Sequence, residues 1–129
     1  MKLQVVKKSN KYFSEGVPYS TNEVKIGEWI DGKALYRKVC VVNNIVLGTQ
    51  TDVENIPNVS EVTRITAVQK STTGFSMPIP TIWQDNLAQR NSYVWVDVKS
   101  TGGQVKYQIN SGWTSADKLT IIVEYTKKN

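Results

Sequence analysis

Apolar and polar side chains alternate most regularly in the last third of the chain, in residues 93–99, 104–110 and 119–126. A period of two is typical of half-buried β-strands. The turn residues 100–103 join the first two segments into a hairpin, and residues 111–117 form a second turn-rich link. The last segment is long enough to lie centrally in a sheet.

Each of these three segments has one apolar face, which we expect to form the core. The opposite face of the first segment carries Tyr93, Trp95, Asp97 and Lys99. The apolar faces consist of Val94, Val96 and Val98, then Val105, Tyr107 and Ile109, and finally Leu119, Ile121, Val123 and Tyr125.

A further β-hairpin is predicted around Asp31-Gly32. This dipeptide accepts the positive φ values of a two-residue turn, which preserves the twist of the flanking strands. Residues 28–30 precede it, and residues 33–42, rich in β-branched and aromatic side chains, follow it. The second strand is otherwise suited to burial but includes Arg37, which we expect to pair with an acid or a carbonyl group, within the chain or across chains, because an unpaired buried charge is costly.

The middle of the chain has weaker patterns. Residues 48–58 are predicted to be loop, because they supply turn residues and Pro57 rules out a continuous central strand through Ile56. Residues 59–70 favour a strand because they contain four β-branched residues between 62 and 66. Pro78 and Pro80 hold residues 77–80 extended, Trp83 follows in a predicted loop, and residues 84–92 have room for one helical turn.

Short strands separated by turns, without helical periodicity, predict an all-β fold, an antiparallel β-sandwich of jelly-roll-like type. The length of 129 residues suits one core. We predict an N-terminal arm or connector over residues 1–18 and a single sandwich domain over residues 19–129. The sequence has no apolar run long enough to span a membrane and no signal peptide, so we expect synthesis in the cytoplasm without a classical export tag.

The chemistry available to the chain disfavours catalysis, cofactor binding and metal binding. There is no histidine, and Cys40 is the single cysteine, so it lacks the usual activating base. A polysaccharide-degrading enzyme remains a less favoured alternative, in which two carboxyls among Asp85, Asp97 and Asp117 would act together. The net charge is +5, but the basic residues lie near the termini or are scattered singly among acids, so nucleic acid is not a predicted partner.

The tryptophans provide the candidate binding residues. Trp83 and Trp113 lie in predicted loops, and Trp95 shares a polar face with Tyr93 and Asp97. Flat aromatic faces beside hydrogen-bonding groups suit sugar rings, whose C–H faces stack while their hydroxyls pair. For any single tryptophan, packing in the core or in a subunit interface is the favoured alternative. The candidate glycan contacts are Trp83, Tyr93, Trp95, Asp97 and Trp113.

Two motifs near the ends of the chain resemble a known domain. The first includes Tyr19-Ser20-Thr21, Gly27, Trp29-Ile30-Asp31-Gly32-Lys33 and Tyr36-Arg37-Lys38, and the second is Glu124-Tyr125-Thr126-Lys127. Together they resemble the C-terminal domain of bacteriophage tail fibre and receptor-binding (baseplate) proteins, many from phages of hosts with Gram-positive walls. Residues 48–112 carry only a loose likeness, in residues 77–80.

The resemblance implies a β-sandwich, commonly a homotrimer, at the distal end of a fibre in the virion. Such a domain contributes to recognition of the host surface. Its implied partners are other phage tail proteins and a host-surface polysaccharide or teichoic acid. A purely structural trimerising cap without a ligand is the alternative. The chain lacks a fibre shaft, so it is expected to be either an excised fragment or a separate small protein. The expected structural residues are Tyr19, Trp29, Asp31, Gly32, Tyr36, Arg37 and Tyr125.

Overall fold

A computed structural model describes residues 16–72, 74, 76–84, 89–110 and 116–129, without the side chains of residues 82–84 and 89. The predicted arm over residues 1–18 therefore lies mostly outside the described residues. The described residues form nine β-strands and no helix. They are β1 (Val24–Glu28), β2 (Ala34–Val42), β3 (Thr51–Ile56), β4 (Val59–Ser71), β5 (Ser76–Ile79), β6 (Thr81–Gln84), β7 (Gln89–Lys99), β8 (Gly102–Ile109) and β9 (Ala116–Lys127).

The strands form two antiparallel sheets that pack together, which confirms the predicted all-β sandwich. The five-stranded sheet has the order β1-β2-β9-β4-β5, and the four-stranded sheet has the order β3-β8-β7-β6. Early strands pair with the last ones, β2 with β9 and β3 with β8, as expected for a jelly-roll-like fold. Strands β2 and β4 belong to the five-stranded sheet and β3 to the four-stranded sheet, so the chain passes from one sheet to the other at both connections.

The core lies between the sheets and contains the predicted apolar rows. Strand β9 is central in its sheet, between β2 and β4, as its length suggested. Val94 and Val96 of β7 pack against this core from the second sheet, whereas Val98, near the strand end, is exposed. The fully buried apolar side chains of β8 and β9 are Val105, Tyr107, Ile109, Leu119, Ile121, Val123 and Tyr125.

The hairpin formed by β1 and β2 is confirmed, but the strand predicted over residues 28–30 ends at Glu28, and the predicted two-residue turn is wrong. The Trp29 N–H donates to the Lys33 carbonyl at 2.8 Å, and the Gly32 N–H donates to the Trp29 carbonyl at 2.9 Å. These bonds enclose a three-residue loop in which Gly32 has φ of 85°. Asp31 does not adopt positive φ; its carboxylate instead accepts the Lys33 N–H at 2.9 Å.

Residues 51–56 form a strand, so the predicted loop over residues 48–58 is wrong in that part. Strand β3 lies at a sheet edge and pairs only with β8, where a polar strand is tolerated. Pro57 follows the last strand residue, and Asn58, with φ of 63°, turns the chain into β4 of the other sheet. The strand predicted for residues 59–70 is confirmed as β4.

Three smaller expectations also need correction. Trp83 belongs to strand β6 rather than to a loop, and residues 89–92 belong to β7 rather than to a helical turn. Strand β9 begins at Ala116, before the predicted start at Leu119. Polar residues dominate these stretches, and cross-strand backbone pairing makes them strands where the local sequence pattern does not.

Candidate functional site

Tyr93, Trp95 and Asp97 lie together on the outer face of the four-stranded sheet. Their neighbours Val94 and Val96 pack on the core, so the intervening positions point outward. Tyr93 is 37% exposed, and Trp95 is half-buried. We call this face the outer row; it comprises Tyr93, Trp95 and Asp97 of β7 and their respective partners Gln108, Lys106 and Gln104 of β8.

Lys106 connects the outer row to the edge strand β3. Its ammonium nitrogen lies 3.6 Å from Asp97 Oδ2 and 3.5 Å from Asp52 Oδ1. Asp52 is paired with Lys106 in the backbone register, so one lysine of β8 joins two carboxylates from the strands on either side of it, β3 and β7. The Lys106 side chain is 20% exposed, whereas that of Asp52 is 67% exposed. Exposed ion pairs contribute less than about 1 kcal/mol to stability. These two ion pairs therefore position the charges of Lys106, Asp52 and Asp97 on the outer face but add little to the stability of the fold.

Three of the five candidate glycan contacts thus come together, and the other two cannot be placed with them. The Trp83 backbone pairs with Arg90 in β6 and β7, but its side chain lies outside the described part. Trp113 lies outside the described residues altogether.

The acids of the hydrolase alternative are not gathered either. Asp97 belongs to β7, whereas Asp117 is exposed in β9 of the other sheet, and Asp85 lies outside the described residues. The structure therefore brings only one of these three carboxyls to the outer row.

Sequence reasoning missed the partners that complete the outer row. Lys106 and Gln108 alternate with buried residues in β8, which is a signal of outward orientation. The predicted hairpin places β8 beside β7, but the register that sets Lys106 opposite Trp95 is given only by the structure. Asp52 carried no signal, because its segment had the composition of a loop.

Arg37 is buried and holds the N-terminal segment against β2. Its Nη2 donates to the carbonyl oxygens of Val17 at 2.8 Å and Pro18 at 3.1 Å. The guanidinium carbon lies 3.7 Å from the centre of the Tyr19 ring, within the range of a cation–π contact. The predicted pairing of Arg37 with a carbonyl group is confirmed, and it occurs within the chain.

Tyr125 and Tyr36 form a second structural cluster at the base of the first hairpin. Their ring centres are 6.1 Å apart, and the Tyr125 hydroxyl donates to Glu23 Oε1 at 2.5 Å. Lys127 forms an ion pair with the same Glu23 carboxylate and lies 4.7 Å from the centre of the Tyr36 ring. Burial, together with this hydrogen bond and the charge of Glu23, raises the pKa of Tyr125, so the phenol keeps its proton. Trp29, at the hairpin loop, is half-buried.

Cys40 is buried in β2 as a structural residue. Burial and the neighbouring Glu54 raise the pKa of its thiol to about 12. Because the thiolate is the reactive form, this thiol is a poor nucleophile. Among the described residues, no group of three or more acidic or cysteine side chains is placed to hold a metal ion.

The part of the chain that the structure describes contains no helix with the length and apolar character needed to cross a bilayer. No family model matches the sequence, and no curated protein or solved structure matches it either. The resemblance to phage tail domains therefore stays a prediction.

Proposed function

We propose that this protein is a phage tail module that binds a host cell-surface glycan through the outer row. The observation that carries the proposal is the outward placement of Tyr93 and Trp95 beside amide, carboxylate and ammonium groups. The resemblance of the two end motifs to tail fibre domains supports the biological setting. The outer row contains none of those motif residues, which fits a structural frame with a separate binding face.

The chemistry of the outer row suits a sugar chain lying along β7. Alternate residues of a strand are about 7 Å apart, so the face from Tyr93 to Asp97 extends over about 13 Å. The aromatic rings offer surfaces for the C–H faces of sugars, and Gln104 and Gln108 offer both donors and acceptors for hydroxyls. Because Lys106 binds Asp97, that carboxylate is held ready to accept hydrogen bonds.

Replacing Trp95 with alanine is expected to weaken glycan binding about tenfold, because an aromatic contact contributes about 0.5–1.5 kcal/mol beyond its buried area. The measurement is retention on purified cell walls of candidate hosts and on a glycan array. Val98→Ala is the matched control, since Val98 is exposed on the same strand but outside the outer row. Wild-type protein that binds no wall or glycan, or a Trp95→Ala variant that binds equally well, would contradict the proposal.

A purely structural role as a trimerising cap is the second candidate, and it is favoured by an uncharged patch on the other sheet. Val41 and Val68 are 39% and 42% exposed and flank Thr120 in the register. The next register row holds Val39, Ile122 and Thr66, of which Val39 is buried, and the row on the other side of Val68 holds the exposed Lys70 and Lys118. A β-branched face without charge on a basic protein suits contact with further copies of the same chain.

Light scattering at micromolar concentration is expected to give three times the chain mass. Val68→Lys should reduce that mass to that of a single chain, because it places a charge on the uncharged patch. Ile30→Lys is the control, since Ile30 is 92% exposed in the hairpin loop. A monomeric wild-type protein would contradict the trimer in both candidate functions.

A further inference from the structure

A cavity of about 290 Å³ opens beside the outer row, between the end of β2 and the start of β3. Asp52 lines this cavity and also binds Lys106, so the cavity and the outer row share one carboxylate. The loop after β2 supplies Asn43 and Asn44, and β8 supplies the ring of Tyr107.

The walls of the cavity combine an apolar floor with a few polar groups. The floor includes Val53 and Tyr107, and Val46 stands at the rim, where it is 48% exposed. The Tyr107 hydroxyl accepts the Val46 N–H at 2.9 Å. A phenol can accept and donate at once, so its own proton remains available for a second hydrogen bond. Tyr107 is only 1% exposed, which fixes this hydroxyl in place.

We infer that this cavity holds one neutral or amino-sugar residue of the glycan that the outer row binds, an inference that rests on the proposed function. Its volume of about 290 Å³ lies just below the range of ligand sites, about 300 to 1,000 Å³, and so suits no more than a single sugar residue. The carboxamides of Asn43 and Asn44 can each donate and accept hydrogen bonds to neighbouring hydroxyls.

Charge decides the class of sugar. Asp52 is the ionisable acid among the lining residues, and the lining contains no lysine or arginine. A phosphate or a uronic acid in the cavity would meet the Asp52 carboxylate, whose ion-pair partner Lys106 lies outside the lining and is shared with Asp97. A hydroxyl or an ammonium group can instead donate a hydrogen bond to that carboxylate. The cavity therefore selects neutral and amino sugars over the phosphate-bearing polymers that a teichoic acid represents.

The test uses the wild-type chain, two cavity variants and Trp95→Ala. Val46→Trp should fill the mouth of the cavity while keeping the hydrogen bond from the backbone N–H of residue 46 to Tyr107. Asn44→Leu should replace a hydrogen-bonding carboxamide with an apolar side chain of similar size. Asn22→Leu is the control, since Asn22 is an exposed carboxamide outside both the cavity and the outer row. Both cavity variants are expected to bind host glycan at least fivefold more weakly, and the control is expected to bind as wild type.

Amide NMR titrations identify the class of sugar. D-glucose, D-glucosamine and N-acetyl-D-glucosamine are the neutral and amino-sugar probes, and glycerol 3-phosphate is the anionic probe. We expect at least one of the three sugars to shift the amide signals of Val46 and Tyr107, and glycerol 3-phosphate to leave them unchanged. Stronger shifts with glycerol 3-phosphate would overturn the selection for neutral and amino sugars.

The remaining outcomes separate the two proposals. Loss of glycan binding in Trp95→Ala with full binding in both cavity variants would overturn the cavity and leave the outer row supported. Wild-type glycan binding that none of the three variants weakens would overturn both, as would a wild-type protein that binds no glycan.

Discussion

Replacing Gly102 with alanine is expected to lower the free energy of unfolding by about 3 kcal/mol or more. Gly102 begins β8 with φ of 132°, a conformation that costs a residue with a Cβ about 1–3 kcal/mol. A Cβ at this position would also lie 2.4 Å from the carbonyl oxygen of Ile56, an overlap that forces a backbone shift at a further cost of about 1–3 kcal/mol. Thermal unfolding monitored by circular dichroism should show a decrease in Tm of roughly 10 °C.

Gly48→Ala separates backbone strain from the close contact. Gly48 has φ of 89°, and no atom lies within 4 Å of the position its Cβ would take. We expect this variant to lose about 1 kcal/mol, the cost of the positive φ alone. Equal losses of unfolding free energy in the two variants would show that the contact with Ile56 does not prevent a side chain at position 102.

Replacing Arg37 with methionine is expected to cost about 2 kcal/mol and to release the N-terminal segment. The substitution removes the charged hydrogen bonds to Val17 and Pro18, each of which is worth about 1.5–3 kcal/mol, and methionine recovers part of the apolar contact. The Val39 N–H donates to the Ser20 carbonyl at 2.9 Å, so its hydrogen exchange reports on this segment directly. We expect that exchange to accelerate at least tenfold in Arg37→Met.

Arg64→Met is the matched control for Arg37. Arg37 and Arg64 lie on either side of Glu124 in the backbone register, but Arg64 is exposed. Surface substitutions usually change stability by no more than about 0.5 kcal/mol. Unchanged exchange at Val39 in Arg37→Met would mean that another contact holds the segment.

The candidate site could be predicted only along a single strand. Tyr93, Trp95 and Asp97 were assigned to one face because a strand has a local period of two, and the structure confirms that shared face. Asp52 and Lys106 were not added to it, because their approach depends on the register of β3 against β8 and of β8 against β7. The β7–β8 hairpin was predicted without its register, and the pairing of β3 with β8 joins segments about 50 residues apart, which a local pattern does not encode.

The sequence by itself determined the all-β class and the inward faces of β8 and β9. Apolar and polar residues alternate regularly over the length of these strands, so only one face of each strand can be the buried one. Only the tertiary structure decided that residues 51–56 are a strand, because their backbone groups find partners in β8 although their side chains resemble those of a loop. It also decided that Arg37 is covered by residues 17–19 and that Asp52 stands beside Lys106. Side-chain periodicity is a local property, whereas edge position, coverage and cross-strand neighbours depend on where the rest of the chain packs.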